Sequence, residues 1–279
     1  ILAGDNFQPY RGYMWGDSDV YKTIEGMAAA LHLRADPTMS ERMEQIIGDI
    51  AAAQAADGYL FPHLQLAEPG CRHFADETTR TCESYSLGHL IESAVEHYRL
   101  TGRTNYLAVA RRAADLLRRV HAGGELLRLS GHPEVELALI KLYEATRDPA
   151  WLDLSGSLIE NARRIDTLWS QGHPPLAGDE AQGHAVAMLY LYSAATDLAR
   201  LRNDAALAEL MRRKWTNIVS RKLYLTGGLG HSRHSEGFAA DYDLPNDIAY
   251  CETCAAIANV FWQQRMFLAS GDASYVDVL

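Results

Sequence analysis

The feature that most constrains this chain is a helical hairpin that repeats along it. Apolar residues recur at helical spacing in successive segments, and a short polar connector closes each one. The predicted helices cover residues 83–101, 104–121, 132–146, 149–165, 182–201 and 204–220. The connectors 101–107 and 146–152 are alike and lie 45 residues apart, and 270–276 matches both. Repeats of this length build a solenoid or a closed toroid of helix pairs.

Two further helices are expected before the repeat. Capping Asp and Ser residues open the first, over 17–33, which places Val20, Ile24 and Leu31 on one face. The second runs from about Ser40 to Ala56 after a break at Pro37. Asp57-Gly58 ends it with a C-cap signal. A chain of 279 residues is long enough to bury a sizeable core around such helices.

Charge and hydropathy narrow the class of partner. The net charge is -10 with both signs scattered, which argues against nucleic acid or an anionic membrane surface as a partner. No window approaches 18 uncharged apolar residues, so no membrane-spanning helix is predicted. A neutral or hydrated substrate fits this composition better.

Cysteine usage and the chain ends suggest a piece of a reduced protein. Four cysteines form no dense disulfide framework, and Cys251-x-x-Cys254 lacks the βαβ context of a redox motif. The chain begins at Ile1 without a signal-type segment, and it stops at Leu279 while a helical pattern is starting. We therefore expect a cytoplasmic protein and a fragment, with 1–279 forming one barrel domain that is truncated.

One long irregular segment, residues 226–254, interrupts the helices. Loops of this length without secondary structure are uncommon in compact domains unless they form a functional surface. Glycines at its start make the backbone pliable, and acidic, histidine and cysteine side chains follow closely. We expect Asn246 or Asp247 to cap the next helix, which contains the apolar run 255–267.

Glu252 and Cys254 could converge on one cation near the start of that helix. Zinc accepts both a carboxylate and a thiolate. Two ligands are only half of a zinc site, however. A capping glutamate and a buried structural cysteine explain the same spacing, so both interpretations stay open on spacing alone.

A Gly-His dipeptide recurs near the predicted start of successive helix pairs. It occurs at Gly88-His89, Gly131-His132 and Gly183-His184. In a closed toroid the equivalent ends of the inner helices meet at one mouth of the barrel, so three histidines are expected to converge there. A histidine near a helix start is more often a packed or capping residue, but three at matching positions favour a site.

Aromatic side chains near these termini and loops are typical of sugar clefts, although most of them are expected in the core. They are Tyr10, Tyr13, Trp15, Tyr59, Phe61, Tyr85, Tyr190, Tyr192, Tyr242 and Tyr250.

Six phrases together resemble one known family. They are Asp17-Ser-Asp-Val-Tyr-Lys22, Ala53-Gln-Ala-Ala-Asp-Gly-Tyr-Leu60, Gly88-His-Leu-Ile-Glu92, Gly131-His-Pro-Glu-Val-Glu-Leu-Ala-Leu139, Gly183-His184 and Leu244-Pro-Asn-Asp-Ile-Ala-Tyr-Cys-Glu-Thr-Cys254. The chain resembles glycoside hydrolase family 127, the β-L-arabinofuranosidases, over nearly its whole length. The resemblance implies an all-α (α/α)6 barrel, incomplete here at its C-terminal end, with the family's β-sandwich domains absent from 1–279.

The resemblance also implies site roles. In that family a zinc ion is held by one glutamate and three cysteines, and one of those cysteines is the nucleophile of a retaining hydrolysis. Glu252 and Cys254 look like the first two ligands, and the other two belong to a Cys-Cys pair expected beyond Leu279. Glu236 looks like the acid/base, and Glu252 is counted with it as a catalytic residue. His89, His132 and His184 look like hydrogen-bond partners of the sugar.

The resemblance implies a plant-wall-type glycan as substrate and zinc as cofactor, and we expect no nucleic acid and no membrane as partners. A homodimer is a further expectation. Two other interpretations stay open: a noncatalytic glycan-binding or structural barrel remnant, and a sugar epimerase or uronyl hydrolase on the same fold. Epimerases and uronyl hydrolases work through His or Asp groups without zinc. Inhibition by a strong chelator would therefore favour the zinc-dependent glycosidase over both of them.

Overall fold

In this computed structural model of the chain, residues 13–68, 70, 73–74, 82–122, 132–166 and 170–279 are described. Their helices are α1 (Asp17–Leu33), α2 (Pro37–Ala53), α3 (Pro62–Ala67), α4 (Glu83–Thr101), α5 (Asn105–Ala122), α6 (Val135–Thr146), α7 (Pro149–Asn161), α8 (Ala185–Arg202), α9 (Ala205–Arg221), α10 (Thr253–Ser270) and α11 (Ser274–Val278). Two short strands, β1 (Gly183–His184) and β2 (Gly237–Phe238), pair antiparallel.

The helices form an open ring of pairs, since α10 does not pack extensively against α1. Going around the inner ring, α1 packs on α4, α4 on α6, α6 on α8, and α8 on α10. Each inner helix also packs against the helix that follows it on the outside, as α4 does with α5, α6 with α7 and α8 with α9. The inner helices α4 and α8 are buried over most of their length, because they have neighbours on every side. This arrangement confirms the predicted all-α barrel of helix pairs.

The three matching connectors share one capping geometry. Each preceding helix ends in a residue whose hydroxyl donates to the carbonyl four positions earlier, and the next residue adopts a left-handed conformation. The pairs are Thr101 and Gly102 (φ 72°), Thr146 and Arg147 (φ 60°), and Ser270 and Gly271 (φ 73°). A left-handed residue past the last turn lets its N–H bond back to an orphan carbonyl. The repeat in sequence is therefore a repeat of local hydrogen bonds.

Some helix boundaries differ from the predicted ones. Helix α2 begins at Pro37 rather than near Ser40, because Asp36 accepts the Met39 N–H at 3.0 Å as its N-cap and proline is well placed in a first turn. Helix α7 ends at Asn161 rather than near residue 165.

No helix among the described residues is both long enough and apolar enough to span a bilayer.

Candidate active site at the barrel mouth

Three histidines converge at one end of the inner ring. The ring centroids of His132 and His184 lie 5.7 Å apart. Tyr85 joins them to His89, with its ring 4.6 Å from that of His89 and 5.0 Å from that of His132. Tyr190 packs edge-on against His132 at 5.7 Å. The structure thus brings together the three residues that the Gly-His repeat singled out.

The three Gly-His dipeptides do not occupy equivalent backbone positions, contrary to the expectation from the repeat. His89 lies within α4, His132 precedes α6, and His184 is the N-cap of α8, where its Nδ1 accepts the Ala187 N–H at 3.2 Å. Gly131 lies outside the described residues. The side chains meet because their elements meet at the mouth, and the local geometry of each dipeptide is different.

Strands β1 and β2 place Glu236 beside His184. Their register pairs Gly183 with Phe238 and His184 with Gly237, and the Ala185 N–H donates to the Glu236 carbonyl at 3.0 Å. His184 Nε2 lies 3.1 Å from Glu236 Oε2. Glu236 itself has a positive φ of 48°, which is uncommon for a residue with a side chain and typical of functional sites.

Glu252 and Cys254 begin helix α10 at the same mouth. Glu252 is the N-cap residue, although its side chain makes no capping hydrogen bond, so neither Asn246 nor Asp247 has the predicted capping role. Helix α10 starts only at Thr253, because residues 246–252 remain irregular. Glu252 Oε2 is buried without a hydrogen-bond partner. Hydrogen bonding to Glu252, followed by burial, raises the pKa of the Cys254 thiol.

The candidate sugar-binding residue His184, the candidate acid/base Glu236 and the candidate metal ligand Glu252 form a single cluster. Ligand atoms of His184, Glu236 and Glu252 all lie within 4.8 Å of one another. The candidate acid/base therefore adjoins the candidate metal ligand, and His184 lies close to both carboxylates. This arrangement can exchange a proton with one bound group while a cation is held at the start of α10.

The sequence profile described as "Beta-L-arabinofuranosidase, GH127 catalytic domain" matches residues 4–279. The chain belongs to glycoside hydrolase family 127. A relative described as a non-reducing end β-L-arabinofuranosidase, from Bifidobacterium longum subsp. longum, is 34% identical over 307 residues, which cover 100% of this chain and 47% of the relative. The crystal structure of Ara127N-Se, a GH127 β-L-arabinofuranosidase from Geobacillus stearothermophilus T6, superposes with a TM-score of 0.93 at 35% identity over 99% of this chain.

The GH127 chain spans about half the length of these relatives, since it covers 47% of each. A sugar epimerase from a ruminal bacterium also superposes, with a TM-score of 0.56 at 12% identity. At that level of identity the likeness shows a common fold and nothing about the reaction.

Burial keeps the histidines of this GH127 site neutral. It lowers the pKa of His89 to about 3 and that of His132 to about 3, and it also lowers the pKa of His184 despite the nearby Glu236 carboxylate. A neutral imidazole has one donor and one acceptor nitrogen. These side chains are therefore suited to hydrogen bonding with hydroxyl groups rather than to charge pairing.

Some of the charged side chains in the segment 226–254 have a structural role. Asp241 Oδ2 accepts from Arg221 at 2.6 Å and its Oδ1 accepts from Asn217 at 2.9 Å, which ties the segment to α9. Lys222, only 3% exposed, reaches Asp241 at 3.3 Å and Glu180 at 2.9 Å. Because buried charges need partners, these residues anchor the segment that carries Glu236.

The sequence reasoning missed a second, deeper set of charged side chains. Glu92 and Glu134 are buried next to His89, the partly exposed Lys141 contacts Glu92, and Lys22 donates to the Tyr85 hydroxyl at 3.0 Å. A signal was available, since an acidic residue follows each of the first two Gly-His dipeptides inside an apolar run. Charged residues at such positions are rarely buried without a partner.

Proposed function

We propose that the protein containing this chain is a retaining glycoside hydrolase that releases β-linked L-arabinofuranose from a plant-wall-type glycan. Membership of GH127 supports this class of reaction, and the two relatives above are described as β-L-arabinofuranosidases. The observation that carries the proposal is the contact between His184 and Glu236 beside Glu252 at the barrel mouth.

The three histidines would bind the furanose hydroxyls. All three are neutral because of their burial. His89 and His132 can each offer a ring nitrogen to a hydroxyl, whereas the nitrogens of His184 already face the Ala187 N–H and Glu236, so a hydroxyl bound there would be shared with Glu236. Tyr85 and Tyr190 border His132 and supply rigid apolar surface for the sugar face. Several neutral hydrogen bonds distributed around the ring would distinguish one sugar from its epimers, because an unmatched hydroxyl leaves a buried group unpaired.

Glu236 would be the acid/base. Its carboxyl would donate a proton to the oxygen of the leaving group as the glycosidic bond breaks, and would then accept a proton from the water that releases the sugar. His184 lies 3.1 Å from one of its oxygens and can hold the carboxyl in a single orientation through both steps.

The chain's own residues fit part of a zinc site. Glu252 offers a buried oxygen without a partner, and the Cys254 thiol is hydrogen-bonded to Glu252. A carboxylate and a thiol are both zinc ligands. When bound, zinc would hold a cysteine as its thiolate at neutral pH. We infer that the nucleophilic cysteine and the remaining ligands lie in the part of the protein outside residues 1–279.

The test uses the full-length protein and a synthetic β-L-arabinofuranoside. We expect release of arabinose with retention of configuration, seen by proton NMR, together with bound zinc and inhibition by a strong chelator. Glycan binding by calorimetry without any hydrolysis would support a noncatalytic binding barrel instead. Reversible interconversion of sugars that resists the chelator would support an epimerase.

A further inference from the structure

Three charged or titratable side chains, two of them buried, lie next to His89. Glu92 is one turn along α4 from His89, Glu134 precedes α6, and Lys141 comes from α6 itself. His89 Nδ1 lies 3.5 Å from Glu134 Oε1 and 4.0 Å from Glu92 Oε2. His89, Glu92 and Glu134 are 4%, 8% and 1% exposed. None of the roles proposed above uses Glu92, Glu134 or Lys141.

The two carboxyl groups differ in their partners. The Lys141 ammonium contacts Glu92 directly, and this outweighs burial and holds the pKa of Glu92 below its ordinary range. Neither oxygen of Glu134 has a hydrogen-bond donor among the described residues other than the neighbouring carboxyl and His89. Burial and the Glu92 charge therefore raise the pKa of Glu134 well above its ordinary value. A proton held by this pair would therefore lie on Glu134.

The close approach of Glu134 depends on Gly88. A Cβ at position 88 would lie 2.4 Å from Glu134 Cγ and 2.9 Å from the Val135 nitrogen. Such distances exclude any larger residue without a shift of the start of α6. The glycine before His89 thus lets the carboxyl of Glu134 reach the imidazole that the same dipeptide supplies.

The negative charge of the two carboxyl groups can be compensated without a bound cation. Three potential ligands converge, since atoms of His89, Glu92 and Glu134 lie within 4.8 Å of one another. The Lys141 ammonium already supplies a positive charge, however, and a proton on Glu134 would remove one of the two negative charges. A metal ion would have to displace both.

The cluster can influence the protonation and orientation of the His89 imidazole. Both of its ring nitrogens are buried, and neither has a hydrogen bond of good geometry with a described residue. A buried imidazole of this kind needs partners on both sides. Nδ1 faces Glu134, which leaves Nε2 for a ligand.

We propose that Glu134 is a positioning residue that fixes the tautomer of His89. The protonated Glu134 donates to Glu92, and its other oxygen accepts the Nδ1–H of His89. Nε2 then keeps its lone pair and accepts a hydrogen bond from a hydroxyl of the sugar. Glu25 on α1 and Lys22 also face the cluster, and both act on its charge rather than on the imidazole geometry. This inference rests on the proposed sugar site, but its first test does not.

The first test reads the tautomer directly. Nitrogen-15 NMR of histidine-labelled full-length protein, with the His89 signal assigned from His89→Gln, distinguishes a protonated Nδ1 from a protonated Nε2. We expect Nδ1 protonated and Nε2 bare at neutral pH. An Nε2–H tautomer would overturn the proposal. Because this measurement needs no turnover, it can succeed even where the proposed hydrolysis fails.

The second test compares Glu134→Gln with Glu134→Met. A glutamine amide can donate to Glu92 and accept from His89, so it replaces a protonated carboxyl. Glu134→Gln should keep the tautomer and a KM within about twofold, whereas Glu134→Met should mix the tautomers and raise KM about tenfold with kcat nearly unchanged. Glu136→Gln is the matched control, since Glu136 is equally buried two residues away and accepts the Glu134 N–H at 3.1 Å.

Three results would contradict the positioning role. The first is equal damage from Glu134→Gln and Glu134→Met, which indicates that a charged carboxylate is needed. The second is loss of one equivalent of bound zinc in Glu134→Gln, which indicates a metal ligand. The third is a matching rise of KM in Glu136→Gln, which indicates general disturbance of α6. If Glu134→Met does not fold, the glutamine variant and the wild-type tautomer still decide.

Discussion

His184 Nε2 and Glu236 Oε2 lie 3.1 Å apart because two-residue strands hold their backbones side by side. The two residues are 52 positions apart in the chain. One caps α8 and the other has left-handed backbone geometry in the segment before α10. The proposed proton-transfer group and its histidine partner are thereby oriented without help from a long sheet.

Replacing Glu236 with Gln should affect substrates according to their leaving groups. A poor leaving group would need the proton that we propose Glu236 supplies, so kcat/KM for an alkyl arabinofuranoside should fall by about 10²- to 10⁴-fold. A nitrophenyl leaving group departs without that proton and should lose far less in the first step. Rates for both substrates with the full-length variant provide the check. An equal loss for both would remove the acid role of Glu236.

Replacing Cys254 with Ser should weaken zinc binding. Serine is a poor ligand at neutral pH, so affinity should fall by at least about tenfold. Zinc content after dialysis against a competing chelator measures this in the full-length protein. Cys251→Ser is the control, because Cys251 is partly exposed nearby but outside the proposed ligands. Similar zinc loss in both variants would show that the motif is disturbed as a whole.

Replacing Gly237 with Ala should displace Glu236. A Cβ at position 237 would lie 2.5 Å from the Gly183 carbonyl oxygen, which belongs to the partner strand and cannot move aside cheaply. We expect kcat to fall at least about tenfold, because small displacements of a proton-transfer group are costly. Gly178→Ala is the control, since nothing lies within 4 Å of its added Cβ. Unchanged turnover in Gly237→Ala would mean that the strand pair does not position Glu236.

Stability should depend on pH through His89. Its pKa is about 3 in the folded chain against an ordinary 6.5, so between these values the unfolded chain binds a proton that the folded chain does not. The stability contributed by neutral His89 is therefore present above pH 6.5 and is lost as pH falls toward 3. At pH 5 the loss is at most about 2 kcal/mol.

Urea unfolding of wild type and His89→Gln at pH 7.5 and pH 5 isolates this contribution. The variant should show a smaller drop in the free energy of unfolding between the two pH values. Glu134 acts in the opposite direction, because its raised pKa makes stability fall as pH rises above its ordinary value of 4.5, and it is present in both proteins. His32→Gln, at an exposed position on α1, should behave like wild type. Parallel behaviour of His89→Gln and wild type would contradict a neutral, buried His89.

Helix positions were predictable because their signals are local. Thr101-Gly102 and Ser270-Gly271 end their helices with hydroxyl and left-handed residues that make bonds within a few positions. Helix α4 was predicted at its observed bounds for the same reason. The start of α10 was misjudged, since Asn246 looks like a cap but the segment stays irregular until Thr253. That segment is held instead by contacts with α9, which no local pattern encodes.

The amino-acid sequence by itself determined the helix pairs, their connectors and the family to which the chain belongs, because these rest on hydrophobic spacing, capping and motif order. It also pointed to His89, His132 and His184 as residues of one mouth. Only the tertiary structure decided that Glu236 lies against His184 and that Glu134 lies behind His89. Those contacts come from packing between distant helices and strands, and their protonation states come from burial, which arises only when the ring assembles.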